Sequence, residues 1–569
     1  MSTRALRMTA ALGVAVAMLA AGCSASGGGN AATPSSSTGK IKKGGILRVG
    51  TINYIDSLSP YNYIEAQATN AMIMIYPQLV QYAFGAKGFT FEGDFATSWT
   101  ESTDGKDWTF KLVSGAKWSD GQPLTADDAA WTINTTVKYR NGATAEMAPA
   151  LNHVTSAEAV DPATLVIHYD APVGNALAQL EQLWILPRHT WEALVGTNGR
   201  GLKTYHPEQH LPVVVGGAYS VKQYEKKGTT VFIPNPNFYG PQSYAEAVAL
   251  TYYTNSDSMI ADLEHGHLDW VDQVPFNAVN PLTKDSNIVL DKVPSSETTN
   301  ITWNSNPRKP KDRELLDPQV KKALSMCVDR QQIISVVFSG YATPVESLVG
   351  HISPLENPNL GPLVHDCAQG NQILDQLGYA KGADGIRVVP ATTGQYAQPA
   401  HEMSYEIVTP TSTDFNVDRE FGIVKEGFAA AGVKVTQKVG GDSTATYAVE
   451  TGDNCDYKGY DIAMWDWAGY IDPDFMLSVV TKAQWCSWSD TGWDNPAYDQ
   501  LYQQQGATID EGQRKQIVYQ MQQIIYDNFL YTQLVNELYI DAHTKGWTGI
   551  EANLNAYSKT YYTAVHQTG

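Results

Sequence analysis

Beyond the run ALGVAVAMLA at Ala11–Ala20, the sequence has no apolar stretch of the roughly 20 residues needed to cross a bilayer. Positive charge is scarce: 39 Lys and Arg stand against 59 Asp and Glu, for a net charge of −20. A nucleic-acid partner, which calls for a basic face, is thereby excluded. Cysteine is scarce too, with five in 569 residues and no CxxC pair, so zinc ribbons and thioredoxin-type redox chemistry are not expected. Nucleophile elbow, HExxH helix, Walker loop and GxGxxG turn are all missing, and the chain reads as a non-enzyme. One close histidine pair, His265 and His267 in EHGHLD, could make a metal site with Asp269. With 12 histidines in the chain such a pair is unremarkable, and Asp453 and Asp456 in GDNCD are too sparse for a calcium loop. No metal or cofactor is expected.

What is present begins with an export signal. Arg4 and Arg7 precede the apolar run, which ends in LAAGC. That order of charge, short apolar core and small residues is a signal peptide over residues 1–22. LAAGC is similar to the lipobox of bacterial lipoproteins, which implies diacylation of Cys23 and a body held at the outer face of the cytoplasmic membrane. The segment SASGGGNAATPSSSTG that follows has no charge and no large apolar side chain, so residues 23–39 read as a flexible tether reaching roughly 20–25 Å. At this length the mature chain exceeds a single core, and two or three lobes are expected.

Four further cysteines, Cys327, Cys367, Cys455 and Cys486, make an even number in an exported chain and suggest two disulfides. Of three connectivities, the sequence neighbours Cys327–Cys367 and Cys455–Cys486 are favoured. Strand and helix signals alternate, predicting a mixed α/β protein. DWTFKL and ATLVIHY alternate apolar and polar residues as half-buried strands do. Thr125, followed by Asp127 and Asp128, predicts a capped helix start. Asp317 and Pro318 predict another, with Val320, Leu324, Cys327, Ile334 and Val337 on one apolar face. A third helix, EGQRKQIVYQMQQIIYDNF, is expected to bury Ile517, Met521, Ile524 and Ile525.

The stretch MWDWAGYIDPDF, Met464–Phe475, is the richest in chemistry. Period two puts Trp465 and Trp467 on one face of a strand and Asp466 on the other, before Gly and Pro turn the chain away. Two indoles side by side suit a sugar face or a peptide side chain, and Trp485 and Trp488 follow nearby. Asp472 and Asp474 would serve a glycosidase only if held apart across a sugar. A binding surface is therefore favoured over a catalytic one.

Several segments together resemble one family. GGILRVGTINYIDSLSPY, FATSWTESTDGKDWTFKLVSGAKWSDGQPLTADDAAWTI, VVGGAYSVKQYEKKGTTVFIPNPNFYG, LEHGHLDWVDQVP and NITWNSNPRKP with DPQVKKALSMCVDRQQIISVVFSGYATP are similar to blocks of the family 5 solute-binding proteins of bacterial ABC importers. The resemblance implies a two-lobed periplasmic-binding-protein fold (type II, cluster C) with an extra inserted lobe and a hinged cleft. It implies lobe I over 40–62, 196–298 and 540–569, an inserted lobe II over 63–195, and lobe III over 299–539. It also implies a monomer that captures a small solute and docks on a permease served by an ATPase. His265 and His267 then fall at a helix end and the strand after it, and Arg330 in CVDR reads as structural. Peptide-binding members place an amine-pairing aspartate in this stretch, where this chain has Gly469. Peptide is the expected solute, with an oligosaccharide as the alternative favoured by Gly469 and the indoles. Asp466, Asp472 and Asp474 are candidates to replace the missing aspartate, Trp465, Trp467 and Tyr470 to form an aromatic wall, and Asn53, Tyr54 and Asn304 to make further contacts.

Overall fold

A computed structural model describes residues 41–63, 65–85, 88–411, 417–441, 446, 449–452, 455–550 and 562–568. The expected signal peptide (1–22), Cys23 and the expected tether lie outside these residues. Among the described residues no helix is long and apolar enough to cross a membrane.

An 11-stranded sheet forms the spine. Its order is Lys434–Gly441, Ser404–Pro410, Ile462–Ala468, Ile288–Trp303, Tyr531–Thr544, Trp270–Val271, Ile46–Thr51, Ala247–Tyr252, Thr229–Pro234 and Tyr219–Gln223. Ala342–Thr343 pairs off the Tyr531–Thr544 strand. The two longest strands, Ile288–Trp303 and Tyr531–Thr544, run antiparallel to each other through the middle. To one side Ile46–Thr51 lies parallel to Ala247–Tyr252 and Trp270–Val271. To the other, Ser404–Pro410 lies parallel to Lys434–Gly441 and Ile462–Ala468. The two long strands therefore cross from one parallel half to the other.

The crossing is irregular at one point. Pro294 pairs with Leu538 and Thr298 with Asn536, so four steps on one strand meet two on the other. Proline supplies no ladder N–H here and sits at a bulge, as strand prolines do. Asn536 seals the bulge: its Nδ2 donates to the carbonyls of Ser295 (3.0 Å) and Glu297 (2.6 Å), and its Oδ1 accepts from the His351 N–H. Separate apolar cores flank the crossing, one built on Leu47, Val49 and Val248, another on Ile301, Val320, Ile407 and Val424.

A second, antiparallel sheet has the order Ala96–Glu101, Asp107–Leu112, Thr164–Tyr169 and Val154–Asp161. Trp108, Phe110, Leu112, Leu165, Ile167 and Tyr169 are its buried face, as their alternation predicts. Helix Ala126–Tyr139 begins with the Thr125–Asp128 capping box and is bound to the sheet by Asn134, which exchanges two hydrogen bonds with Ala157.

The single helix expected after Asp317 is two: Pro318–Ser325, and Arg330–Val336 started by Asp329, whose side chain accepts from the Gln332 N–H. A neighbouring helix packs against the break. Gly427, in helix Val417–Ala430, comes so close that a Cβ there would stand 2.2 Å from the Cys327 carbonyl oxygen. Cys327 is bonded to Cys367, and Cys455 to Cys486. In helix Glu511–Asp527, Met521 and Ile525 are buried, while Ile517 and Ile524 are half-buried at the edge of the same core.

Candidate functional site

In open α/β sheets the crevice beyond the carboxyl ends of parallel strands is where ligands sit. Here that end carries Ile52–Tyr54 after the Ile46–Thr51 strand, Asp272 and Gln273 after Trp270–Val271, and Gly469 and Tyr470 after Ile462–Ala468. The irregular part of the crossing lies beside it, since Glu297 pairs with Ala468, the last residue of its strand.

The residues proposed from sequence divide sharply. Trp467 is 8% exposed, packs among Leu348, Val349, Met476 and Leu477, and donates its indole N–H to the buried Asp490 at 3.1 Å. Those are the contacts of a core side chain. Trp465 is half-buried and edge-on to it at 6.5 Å. Asn304 is fully buried, its amide donating to the carbonyls of Tyr457 and Tyr460, which ties the start of one segment to the end of another. Trp485 is held by the Trp493 carbonyl and covered by Arg308. Phe475 gathers Trp467, Tyr470 and Trp488 around itself at 6.0, 5.7 and 5.4 Å, all edge-on. Only Tyr470, at 37%, and Trp488, at 51%, keep much exposed surface. The aromatics thus form a mutual cluster with two open members, not a flat wall.

Asn53 donates to the Gln273 side chain at 3.3 Å, and Tyr54 stands against Tyr252 with Lys227 over its ring. Asp272, next to Gln273, accepts from the Tyr539 hydroxyl. His265 caps the end of helix Ser256–Glu264 as expected, whereas His267 lies in the bend before the Trp270–Val271 strand and not on it, and Asp269 is taken up by a forked pair of bonds from Arg48 at 2.8 Å each.

The three aspartates are not equivalent. Asp472 receives both arms of Arg514, at 2.6 and 2.8 Å. Asp474 accepts from Gln505 and Tyr502. Asp466 has neither kind of partner and instead faces other carboxylates. Thr299 pairs with Asp466 across the strands, Glu297 is two residues on, and Glu537 lies opposite the bulge. Glu420, on the buried stripe of helix Val417–Ala430, completes the group and accepts from the Thr299 hydroxyl at 3.1 Å. Among the described residues no cation is paired with any of the four. Burial and mutual repulsion raise the proton affinities of Glu420, Asp466 and Glu537. Glu420 is pushed up to about 8 by burial and then by Asp466, against the Thr299 hydrogen bond. Asp466 is pushed up to about 7 by burial and then by Glu297. Glu537 rises well above the usual carboxylate range through burial and the neighbouring Glu297. Glu537, Tyr539 and Asp541 alternate along one strand and so share a face, from which the Tyr539 hydroxyl donates to Asp272.

The space at Gly469 is close but not closed to a side chain, since the nearest atom belongs to the flexible Met476 side chain. A Cβ there would stand 3.1 Å from Met476 Cγ and 3.5 Å from the Ser296 carbonyl oxygen. Across the crevice, Gly174 meets the end of helix Pro496–Ala507: its N–H donates to the Gly506 carbonyl at 2.7 Å. A Cβ at Gly174 would lie 1.9 Å from the Thr508 carbonyl oxygen, so this approach is open only to glycine.

Of the cluster, the sequence singled out Asp466 alone. Glu420 left a faint signal, a charge on the apolar stripe of Val417, Phe421, Val424 and Phe428. Glu297 and Glu537 left none, because their meeting depends on the bulge.

Residues 90–486 match the model of the bacterial extracellular solute-binding proteins, family 5 Middle. The chain is 24% identical over 525 residues to the probable D,D-dipeptide-binding periplasmic protein DdpA of Escherichia coli, covering 89% of this chain and 92% of that one. It is 24% identical over 513 residues to the glutathione-binding protein GsiB of Salmonella typhi, covering 87% and 89%. Its fold is that of the periplasmic binding protein DppA from Helicobacter pylori in complex with the peptide STSA, with TM-score 0.73 at 21% identity over 93% of this chain and 99% of that one. The oligopeptide-binding protein AppA from Bacillus subtilis, in complex with a nonapeptide, gives TM-score 0.73 at 18% identity, over 93% and 100%. The oligosaccharide alternative gains no support from these relatives.

Proposed function

The chain belongs to the bacterial extracellular solute-binding proteins of family 5, and from that premise we propose that it captures peptides for an ABC importer, holding their α-ammonium group on Asp466, Glu297, Glu420 and Glu537. The observation that carries this reading is a set of four carboxylates beside the carboxyl end of the Ile462–Ala468 strand with no cation of the described chain among them. Taking like charges out of water and crowding them is costly unless a counter-charge arrives. A peptide's amino terminus supplies that charge along with donors for several oxygens at once. Asp472 and Asp474 are engaged by Arg514, Gln505 and Tyr502, which leaves Asp466 as the aspartate that answers for Gly469.

The bulged crossing at Pro294–Thr298 serves as the hinge between lobe I (40–62, 196–298, 540–569) and lobe III (299–539), with lobe II (63–195) as the outer wall. A ligand that touches both walls only when they meet favours the closed form by its differential affinity. The Gly174–Gly506 contact belongs to that closed form. Exposed Tyr470 and Trp488 offer apolar surface to the peptide's side chains. In this reading Cys23 carries the lipid anchor, the tether spans from membrane to body, and the monomer delivers its solute to a permease and its ATPase.

Calorimetry with a short peptide, its Nα-acetylated form, and an Asp466→Asn variant tests the proposal. The free peptide binds, and acetylation or the substitution each weakens binding by about 2–5 kcal/mol, the range for removing one partner of a buried charge pair. Equal affinity for free and acetylated peptide would overturn it.

A further inference from the structure

At the opposite, amino-terminal end of the same parallel strands lies a cluster that plays no part in the cleft. Asp312, Glu314 and His401 each bring one donor atom into a group whose members all lie within 4.8 Å of one another. His401 precedes the Ser404–Pro410 strand, and Asp312 adjoins Lys311, which reaches Asp461 just before the Ile462–Ala468 strand.

The orientation of the imidazole is fixed. Its Nδ1 is 3.0 Å from the Pro399 carbonyl, which can only accept, so Nδ1 carries hydrogen. Nε2 then faces Glu314 Oε1 at 3.4 Å and Asp312 Oδ1 at 3.6 Å. These separations are too long for charge-assisted hydrogen bonds, which fall near 2.7–2.9 Å. Those two separations match the edge of a tetrahedron, where donors bound at about 2.0–2.2 Å to one ion stand about 3.3–3.6 Å apart, and the Asp312 and Glu314 oxygens lie within 4.8 Å of each other. The surroundings match those that orient metal ligands. The histidine's second nitrogen is bonded to a backbone carbonyl, and the buried Tyr405 hydroxyl donates to Glu314 Oε1 at 2.7 Å. Lys311 engages the other oxygen of Asp312 at 3.2 Å. Gln398 ties the two segments together, accepting from the Asp312 N–H and donating to the Pro310 carbonyl.

We propose that Asp312, Glu314 and His401 bind a divalent transition-metal ion of zinc's size, with a fourth position left to water. One imidazole with two carboxylates suits zinc or cobalt better than the all-oxygen sets of calcium or magnesium. The ion staples the loop that holds Asp312 to the entrance of the Ser404–Pro410 strand, far along the strands from the cleft.

The test uses the full chain without a polyhistidine tag, stripped by chelator and then titrated with Co²⁺, followed by competition with Zn²⁺. Expected are one saturable site with a tetrahedral cobalt absorption spectrum and a rise in Tm on loading. His401→Gln and Glu314→Gln each weaken binding by at least about 100-fold, and Tyr405→Phe by about 10–100-fold, the usual scale for an outer partner. His401→Gln keeps an amide able to reach Pro399, so folding, checked by circular dichroism, is retained. Peptide affinity stays unchanged in all three. Absence of saturable binding in the parent, or equal affinity in the parent and both glutamine variants, would overturn the assignment.

Discussion

Replacing Glu420 by glutamine removes a charge while keeping the shape and the acceptor for the Thr299 hydroxyl. The effect follows from linkage. Glu420 ionises near 4.5 in the unfolded chain and is pushed up to about 8 in the fold, burial being the larger cause and Asp466 the second. A carboxyl whose folded value is raised contributes stability that is complete below the unfolded value and lost as pH rises through the folded one. The window is therefore pH 4.5 to 8, and the full shift corresponds to about 5 kcal/mol at 1.36 kcal/mol per unit. Part of that is shared with Asp466, which titrates in the same window, so about 2–4 kcal/mol is assignable to Glu420 alone. Glutamine cannot ionise. Ligand-free Glu420→Gln should match the parent at pH 4.5 and exceed it in Tm at pH 8, by scanning calorimetry at both values. The parent's loss of stability toward pH 8 should be offset by saturating peptide, whose ammonium neutralises the cluster. A variant no more stable than the parent at pH 8, or a parent whose Tm does not fall across the window, would refute the reasoning.

Gly174→Ala sets a Cβ against the Thr508 carbonyl, so closure is disfavoured. A cost of about 2 kcal/mol weakens peptide affinity about 30-fold by lowering the closed fraction, with little change in Tm; unchanged affinity would mean that the liganded form does not make this contact. Trp467→Ala empties a core site and removes one of the donors to Asp490, which keeps those of Tyr531 and Thr302, lowering stability by about 3–5 kcal/mol, whereas Trp488→Ala leaves Tm unchanged and weakens peptide binding; the reverse pattern in calorimetry would return Trp467 to the cleft. Cys23→Ala should move the protein from the membrane to the soluble fraction on fractionation, and continued membrane retention would sink the lipid anchor.

Much of the fold was legible because it rests on local rules. Period-two alternation marked Asp107–Leu112 and Thr164–Tyr169, and the cap at Thr125 marked the helix between them. Where an apolar stripe runs on through a cap, the stripe misled: the one helix expected after Asp317 is two, the second started by Asp329, with Gly427 packed on the Cys327 carbonyl at the break. The site was legible only in part. Trp465 and Trp467 do share a strand face, but sequence does not tell whether helices cover that face, and here the core of Met476, Val518 and Met521 does. Asp466 was legible as a candidate, whereas its three glutamate neighbours come from a bulge, a helix and a second strand far apart in the chain. The Asp312, Glu314 and His401 cluster is similarly invisible, since 87 residues separate its last two members.

The central claim is that the cleft takes a peptide by its positively charged end. The most direct measurement is to purify the protein natively, release its bound solute by denaturation and identify it by mass spectrometry. The expected result is peptides with free amino termini, absent from protein prepared with Asp466→Asn. Release of a neutral oligosaccharide, or of peptides blocked at the amino terminus, would contradict it.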